Sequence, residues 1–198
     1  MNRVSFPIAN MLTFARIVMI PLVIALFYSG QPGGKPAAAI VFILAAITDS
    51  LDGYLARRLG QTSALGAFLD PVADKLMVAI ALILLVSERP KPLELLHFDP
   101  HAVIAITAVV IVGREITISA LREWMAELGA RGKVAVSSMG KLKTIFQMTG
   151  LSMMLFRKDL WFLPVYELGL YCLVGAAALT LWSMVTYLRA AWPELKRS

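Results

Sequence analysis

The sequence DSLDGYLARRLGQTSALGAFLDPVAD, residues 49–74, places four aspartates in a chain that is otherwise strongly apolar. The acids form two pairs, three residues apart in the first (Asp49, Asp52) and four apart in the second (Asp70, Asp74). On a helix, either spacing puts both carboxylates on one face, about 5.4 Å apart along the axis. The stretch therefore predicts two helices that each present an acid pair, joined by the short polar connection 60–63.

The remainder of the chain predicts an all-α membrane protein. Hydrophobic residues make up 59% of the 198 residues and charged residues only 16%, which is too little charge to cover a soluble domain of this size. Apolar stretches close to the 18 residues that a transmembrane helix needs recur along the chain. We predict one domain, residues 1–198, with six transmembrane helices. They cover approximately residues 8–28, 37–59, 64–86, 102–124, 139–156 and 160–188.

Basic residues favour one orientation of these helices. With six spans both termini share a side, and that side holds twelve Lys and Arg residues against five on the other. Short cytoplasmic segments of membrane proteins are enriched in Lys and Arg. We therefore expect both termini and both acid pairs at the cytoplasmic surface. The same enrichment accounts for the net charge of +6, and nucleic acid is not an expected partner.

The acid pairs predict a divalent-cation site. The short connection makes the second and third spans antiparallel neighbours, so the four carboxylates can converge. Ionised carboxylates facing one another repel strongly at low dielectric. Mg²⁺ commonly bridges carboxylates to phosphates, and two such ions are a recurring device for displacement at phosphorus. Ion pairs with Arg57, Arg58 and Lys75 account for one or two of the acids but poorly for four.

The complete stretch matches the pattern D-x2-D-G-x2-A-R-x8-G-x3-D-x3-D at every fixed position, and this resembles the signature of the CDP-alcohol phosphatidyltransferases. The matching residues are Asp49, Asp52, Gly53, Ala56, Arg57, Gly66, Asp70 and Asp74. The hydropathy pattern also resembles the six-helix membrane fold of that family. The resemblance implies that an alcohol attacks the lipid-side phosphorus of a CDP-linked lipid, CMP leaves, and two Mg²⁺ or Mn²⁺ ions assist.

The resemblance also implies roles for individual residues. Metal ligands would be Asp49, Asp52, Asp70 and Asp74, and Asp74 would also be the catalytic base, although the sequence leaves open whether it is only a ligand. The CDP-binding set would be Asp49, Gly53, Ala56, Arg57, Gly66 and Asp70. Taken alone, the three small residues either permit close helix packing or open a slot for a flat ligand. Members of the family are commonly homodimers.

Three shorter segments indicate the acceptor. NMLTFAR (10–16), GREI (113–116) and SSMGKLKTIFQ (137–147) resemble the bacterial phosphatidylglycerophosphate synthase branch of the family. This implies CDP-diacylglycerol and glycerol 3-phosphate as substrates and the bacterial inner membrane as location, with the site facing the cytoplasm. A phosphorylated acceptor is a dianion that needs basic partners. The candidates for that phosphate are Arg114, Lys141, Lys143, Thr13 and Arg16.

Other functions stay open at this point. The same chemistry serves inositol phosphate, or phosphatidylglycerol in a cardiolipin synthase, as the acceptor. A divalent-cation transporter is an alternative of a different class. Transporter ion sites lie near the bilayer midplane on broken helices, whereas these acids are expected close to one surface.

Overall fold

The computed structural model describes residues 8–59, 64–91, 93, 99–129, 138–161 and 163–195. Within these ranges it does not describe the side chains of residues 8–10, 50, 52–59, 64, 65, 67, 138–141, 194 and 195. The described chain forms six helices: α1 (Ile8–Phe27), α2 (Gly34–Leu59), α3 (Ala64–Ser87), α4 (Pro100–Glu127), α5 (Ser138–Phe156) and α6 (Val165–Leu195). The prediction of an all-α protein with six helices is confirmed.

Local sequence explains where these helices begin and end. α4 begins at Pro100, a position where the helix needs no backbone N–H, so proline is tolerated there. The Asp99 side chain accepts a hydrogen bond from the His101 amide at 3.0 Å. The helix ends before Gly129, whose φ of 70° is a left-handed conformation that glycine adopts without strain. α6 begins at Val165 rather than near residue 160 as predicted, because Leu160 and Leu163 exchange two backbone hydrogen bonds and close a turn.

The helices pack as two close pairs, which contact each other directly through α2 and α5 and are also linked by α3 and α4. α1 lies along α2, and α5 along α6; α3 contacts α1, α4 and α5, and α4 packs on α6. A Cβ built on Gly150 of α5 would lie 2.8 Å from the Gly169 carbonyl oxygen, so glycine allows the α5 and α6 backbones to approach each other closely. By contrast, α2 and α3 contact each other less than any other contacting helix pair. The acid-bearing helices are therefore connected mainly through α1.

The outer surface carries many large apolar side chains, including Val18, Ile83, Val109 and Trp182. Two helices, Pro100–Glu127 and Val165–Pro193, are long and apolar enough to cross a membrane, and Met11–Phe27 is a shorter apolar helix. Exposed apolar surface on this scale is unusual for a soluble monomer. These features are those of a protein associated with a membrane.

Candidate active site

The acids of α2 and α3 are held by two side chains of α1. Arg16 Nη1 lies 2.7 Å from Asp49 Oδ1 and 2.6 Å from Asp74 Oδ1. One turn earlier, Thr13 Oγ1 donates a hydrogen bond to Asp70 Oδ1 at 2.5 Å. Both α1 side chains are buried. The first helix thus carries the groups that contact Asp49 of α2 and both Asp70 and Asp74 of α3.

The geometry limits the separation of two of the carboxylates. Because Asp49 Oδ1 and Asp74 Oδ1 contact the same nitrogen, they can be no further apart than the sum of the two distances, 5.3 Å. The two aspartate side chains remain 40% and 48% exposed, while the arginine between them has no exposure. The carboxylates therefore converge on a surface that a ligand can reach, with a buried positive charge behind them.

This donor set has the chemistry that Mg²⁺ or Mn²⁺ requires. It consists of carboxylate oxygens, the ligands that these ions prefer. Two of these oxygens already meet a positive charge, the Arg16 guanidinium. Among the residues that the structure describes, no three Asp, Glu, His or Cys side chains form a group that could hold a metal ion. The side chain of Asp52, the second acid of the motif, lies outside that description. The complete metal site stays a prediction.

A cavity of about 730 Å³ extends from the acids into the space between α2, α3, α4 and α5. Asp49 and Asp74 line one part of it, and Glu115, Lys143 and Gln147 line another. Most of the remaining wall is apolar, with isoleucine, valine and methionine side chains from α2, α3 and α5. A cavity with convergent polar groups and apolar walls is suited to a ligand that has both characters.

The basic residues predicted to bind an acceptor phosphate occupy different places. Lys143 is buried, lines the cavity and forms an ion pair with Glu115. Arg114 is also buried, but it lies against α6: its guanidinium donates to Glu115 Oε1 and to Ser183 Oγ, both at 3.0 Å. Lys143 therefore reaches the cavity, whereas Arg114 contacts the Glu115 carboxylate that pairs with Lys143.

Several predicted residues lie partly outside the description. The side-chain surroundings of Asp52, Gly53, Ala56, Arg57 and Lys141 are not described, although the backbone of each lies within α2 or α5. Gly66 is buried near the start of α3. The CDP-binding assignments stay predictions.

Among the residues of the cavity wall that sequence reasoning did not name as site residues are the polar residues Glu115 and Gln147. Each has a signal in the sequence. Glu115 is an acid inside an apolar span, directly after Arg114, and Gln147 follows Lys143 by four residues, which places both on one helical face. The sequence also associated Thr13 and Arg16 with the acceptor phosphate, whereas the structure places both on the acids. Their contact with an acceptor stays a prediction.

The sequence model of the CDP-alcohol phosphatidyltransferase family matches residues 6–187. The chain belongs to the CDP-alcohol phosphatidyltransferase family. The curated proteins to which it is similar include the CDP-diacylglycerol–glycerol-3-phosphate 3-phosphatidyltransferases from Shigella flexneri serotype 5b (strain 8401) and Escherichia coli (strain K12). Each is 46% identical over 191 residues, which is 96% of this chain and 98% of the relative. As a member of this family the protein is an enzyme, and the family generally uses divalent metal ions.

Proposed function

We propose that the protein transfers the phosphatidyl group of CDP-diacylglycerol to glycerol 3-phosphate and releases CMP, forming phosphatidylglycerol phosphate. The observation that carries this proposal is the 46% identity, over almost the whole length of both chains, to relatives named for that reaction. The convergence of Asp49 and Asp74 on Arg16 supports it, because it puts motif acids from two helices on one reachable surface.

The motif residues have different roles in binding the donor lipid. Asp49, Asp52, Asp70 and Asp74 would hold two Mg²⁺ or Mn²⁺ ions, which when bound would supply positive charge to the pyrophosphate and to the departing CMP. Thr13 orients Asp70 through its hydroxyl, and Arg16 fixes Asp49 relative to Asp74. The small side chains of Gly53, Ala56 and Gly66 leave room for the cytidine, and Arg57 contacts the nucleotide or its phosphates.

Asp74 acts as the base that takes the proton of the attacking hydroxyl. A base must come within hydrogen-bond reach of that proton, so geometry is the first criterion. Asp74 lines the cavity, and its side chain is 48% exposed. Its contact with Arg16 limits the directions that the carboxylate can take, which orients it toward a substrate rather than leaving it to rotate.

The acceptor phosphate is bound at the Lys143 side of the cavity. Lys143 belongs to the GKLKT segment (140–144) and lines the cavity, where its ion pair with Glu115, itself paired with Arg114, holds it in place. Lys141 lies two residues earlier and contributes a second charge. A phosphate dianion gains most from such partners where water is largely excluded.

We propose that all six helices cross the bacterial inner membrane in one domain, with both termini and the site on the cytoplasmic side, and that the enzyme is a homodimer. Twelve basic residues against five favour this orientation. The exposed apolar side chains of the bundle surface suit contact with lipid or with a second subunit.

The test is CMP release from CDP-diacylglycerol by the purified protein in detergent micelles, with Mg²⁺ or Mn²⁺. We expect release with glycerol 3-phosphate, none in EDTA, and little with serine, inositol phosphate or phosphatidylglycerol. Asp74→Asn should lower kcat by about 10²–10⁴, the usual contribution of a general base. Asp159→Asn, at the opposite end of the bundle, is the matched control and should keep the parent rate. Release with inositol phosphate but not with glycerol 3-phosphate would overturn the acceptor assignment, and an unchanged Asp74→Asn rate would overturn the base.

A further inference from the structure

Gln147 is a cavity residue that the steps above leave without a role. It follows Lys143 by four residues on α5, so the two side chains lie on the same face one turn apart. Both line the cavity, and both are about 95% buried, with exposures of 4% and 5%. The lysine has its partner in Glu115. Gln147 Oε1, in contrast, has no hydrogen-bond partner among the residues that the structure describes.

An amide oxygen buried without a partner is destabilising, because it loses its hydrogen bonds to water and gains none in return. Among the described residues, none of the surrounding wall donates to this oxygen. Met148 and Val78 are apolar, and the Ser152 hydroxyl already donates to the Met148 carbonyl oxygen at 2.8 Å. Besides water, a ligand that enters the cavity can supply the missing hydrogen bond. The last torsion of a glutamine side chain is broad, so the amide can turn toward a ligand while α5 stays in place.

The cavity groups match the three functional groups of a glycerol phosphate. Lys143 is a cation for the phosphate, and Asp74 is a carboxylate for the hydroxyl that attacks. Between a phosphate and that terminal hydroxyl, the glycerol backbone carries a secondary hydroxyl that both donates and accepts hydrogen bonds. Gln147 lies one helical turn, about 5.4 Å, from Lys143 along α5. That spacing is comparable to the few bonds that separate the phosphate from the secondary hydroxyl.

We propose that Gln147 forms a hydrogen bond with the secondary hydroxyl of glycerol 3-phosphate and thereby selects this acceptor over phosphorylated alcohols that lack it. The inference rests on the proposed function and adds to it a residue that determines specificity. A site that hydrogen-bonds a substrate hydroxyl discriminates against the analogue without it, because the buried polar group is then left unpaired.

The experiment compares two acceptors with the full-length protein in detergent micelles, using CDP-diacylglycerol and Mg²⁺. Glycerol 3-phosphate has the secondary hydroxyl, whereas 3-hydroxypropyl phosphate lacks it and keeps the phosphate and the primary hydroxyl. We expect the parent to prefer glycerol 3-phosphate by about tenfold or more in kcat/KM, the effect of one hydrogen bond to a buried group. Gln147→Met, similar in length and unable to form the bond, should bring this ratio close to one, mainly through a higher KM for glycerol 3-phosphate.

Controls separate specificity from folding. Ser152→Ala, on the same wall, should leave the ratio as it is in the parent. Gln147→Asn, which withdraws the amide by one methylene, should also lower the ratio and serves if the methionine variant does not fold. Equal losses with both acceptors would show a structural role and overturn the inference, as would a parent that does not distinguish the acceptors. Absence of turnover by the parent with either acceptor would instead overturn the proposed function.

Discussion

Replacing Arg16 by methionine removes the positive charge between Asp49 and Asp74 and keeps a side chain of similar length. The two Oδ1 atoms lie at most 5.3 Å apart, the sum of their distances to Nη1. At that separation two unit negative charges repel by about 3 kcal/mol at an effective dielectric of 20 and by about 0.8 kcal/mol in water. Both carboxylates are nearly half exposed. We therefore expect the free energy of unfolding to fall by about 1–3 kcal/mol.

The assay is thermal unfolding of the purified protein in detergent, with EDTA or with Mg²⁺. In EDTA the Arg16→Met variant should melt about 2–12 °C below the parent, given the usual shift for a chain of this length. Mg²⁺ should raise the melting temperature more in the variant than in the parent, because a divalent ion then provides the missing counter-charge and stabilises the folded state by binding to it. Arg89→Met removes an exposed arginine at the other end of α3 and should show neither effect.

Two results would refute this reasoning. A variant that melts with the parent in EDTA would mean that Arg16 does not relieve repulsion between the acids. An equal Mg²⁺ increment in parent and variant would mean that the metal ions and the arginine do not act on the same carboxylates.

Three further predictions concern stability, measured as unfolding in the same detergent. Gly150→Ala should lower the free energy of unfolding by about 1–3 kcal/mol, because its Cβ would meet an α6 carbonyl oxygen at 2.8 Å. The control is Gly113→Ala, whose Cβ would have nothing within 4 Å and which should raise the free energy of unfolding by up to about 1 kcal/mol. Similar effects of the two substitutions would contradict the close α5–α6 contact. Ser183→Ala should lower the free energy of unfolding by about 1–3 kcal/mol, because the buried Arg114 guanidinium loses an acceptor, and Ser183→Thr is the control that keeps a hydroxyl. Lys91→Met breaks an ion pair with Asp159 that is largely exposed to solvent, and it should change the free energy of unfolding by less than about 1 kcal/mol. A larger loss would show that solvent-exposed ion pairs contribute substantially to the stability of this protein.

Hydropathy and helical spacing predicted the helices well, since apolar length and the 3.6-residue period are properties of a single segment. The late start of α6 was missed because the turn from Leu160 to Leu163 depends on backbone hydrogen bonds within a stretch that is apolar throughout. Spacing predicted that acids share a face, but it does not identify the helix that this face meets. The contact of Arg16 with Asp49 and Asp74 joins residues distant in sequence, and no local pattern reports it.

The same limit applies to the basic residues. The sequence predicts both Arg114 and Lys143 as ligands of the acceptor phosphate, yet one packs against Ser183 of α6 and the other lines the cavity. Which of them reaches a ligand depends on the rotation of each helix about its axis. That rotation is set by packing with neighbours, for which the glycine contact between α5 and α6 is an example.

The ion pairs of Arg16 also bear on the order in which the protein is made. α1 precedes α2 and α3 in the chain, so in the membrane topology proposed above the arginine is already available when the first acid pair is inserted. A charged side chain within a bilayer is costly to insert unless it finds a partner. In that topology the first helix would provide, during biosynthesis, the compensating charge for the acid-bearing helices before any metal ion or nucleotide has bound.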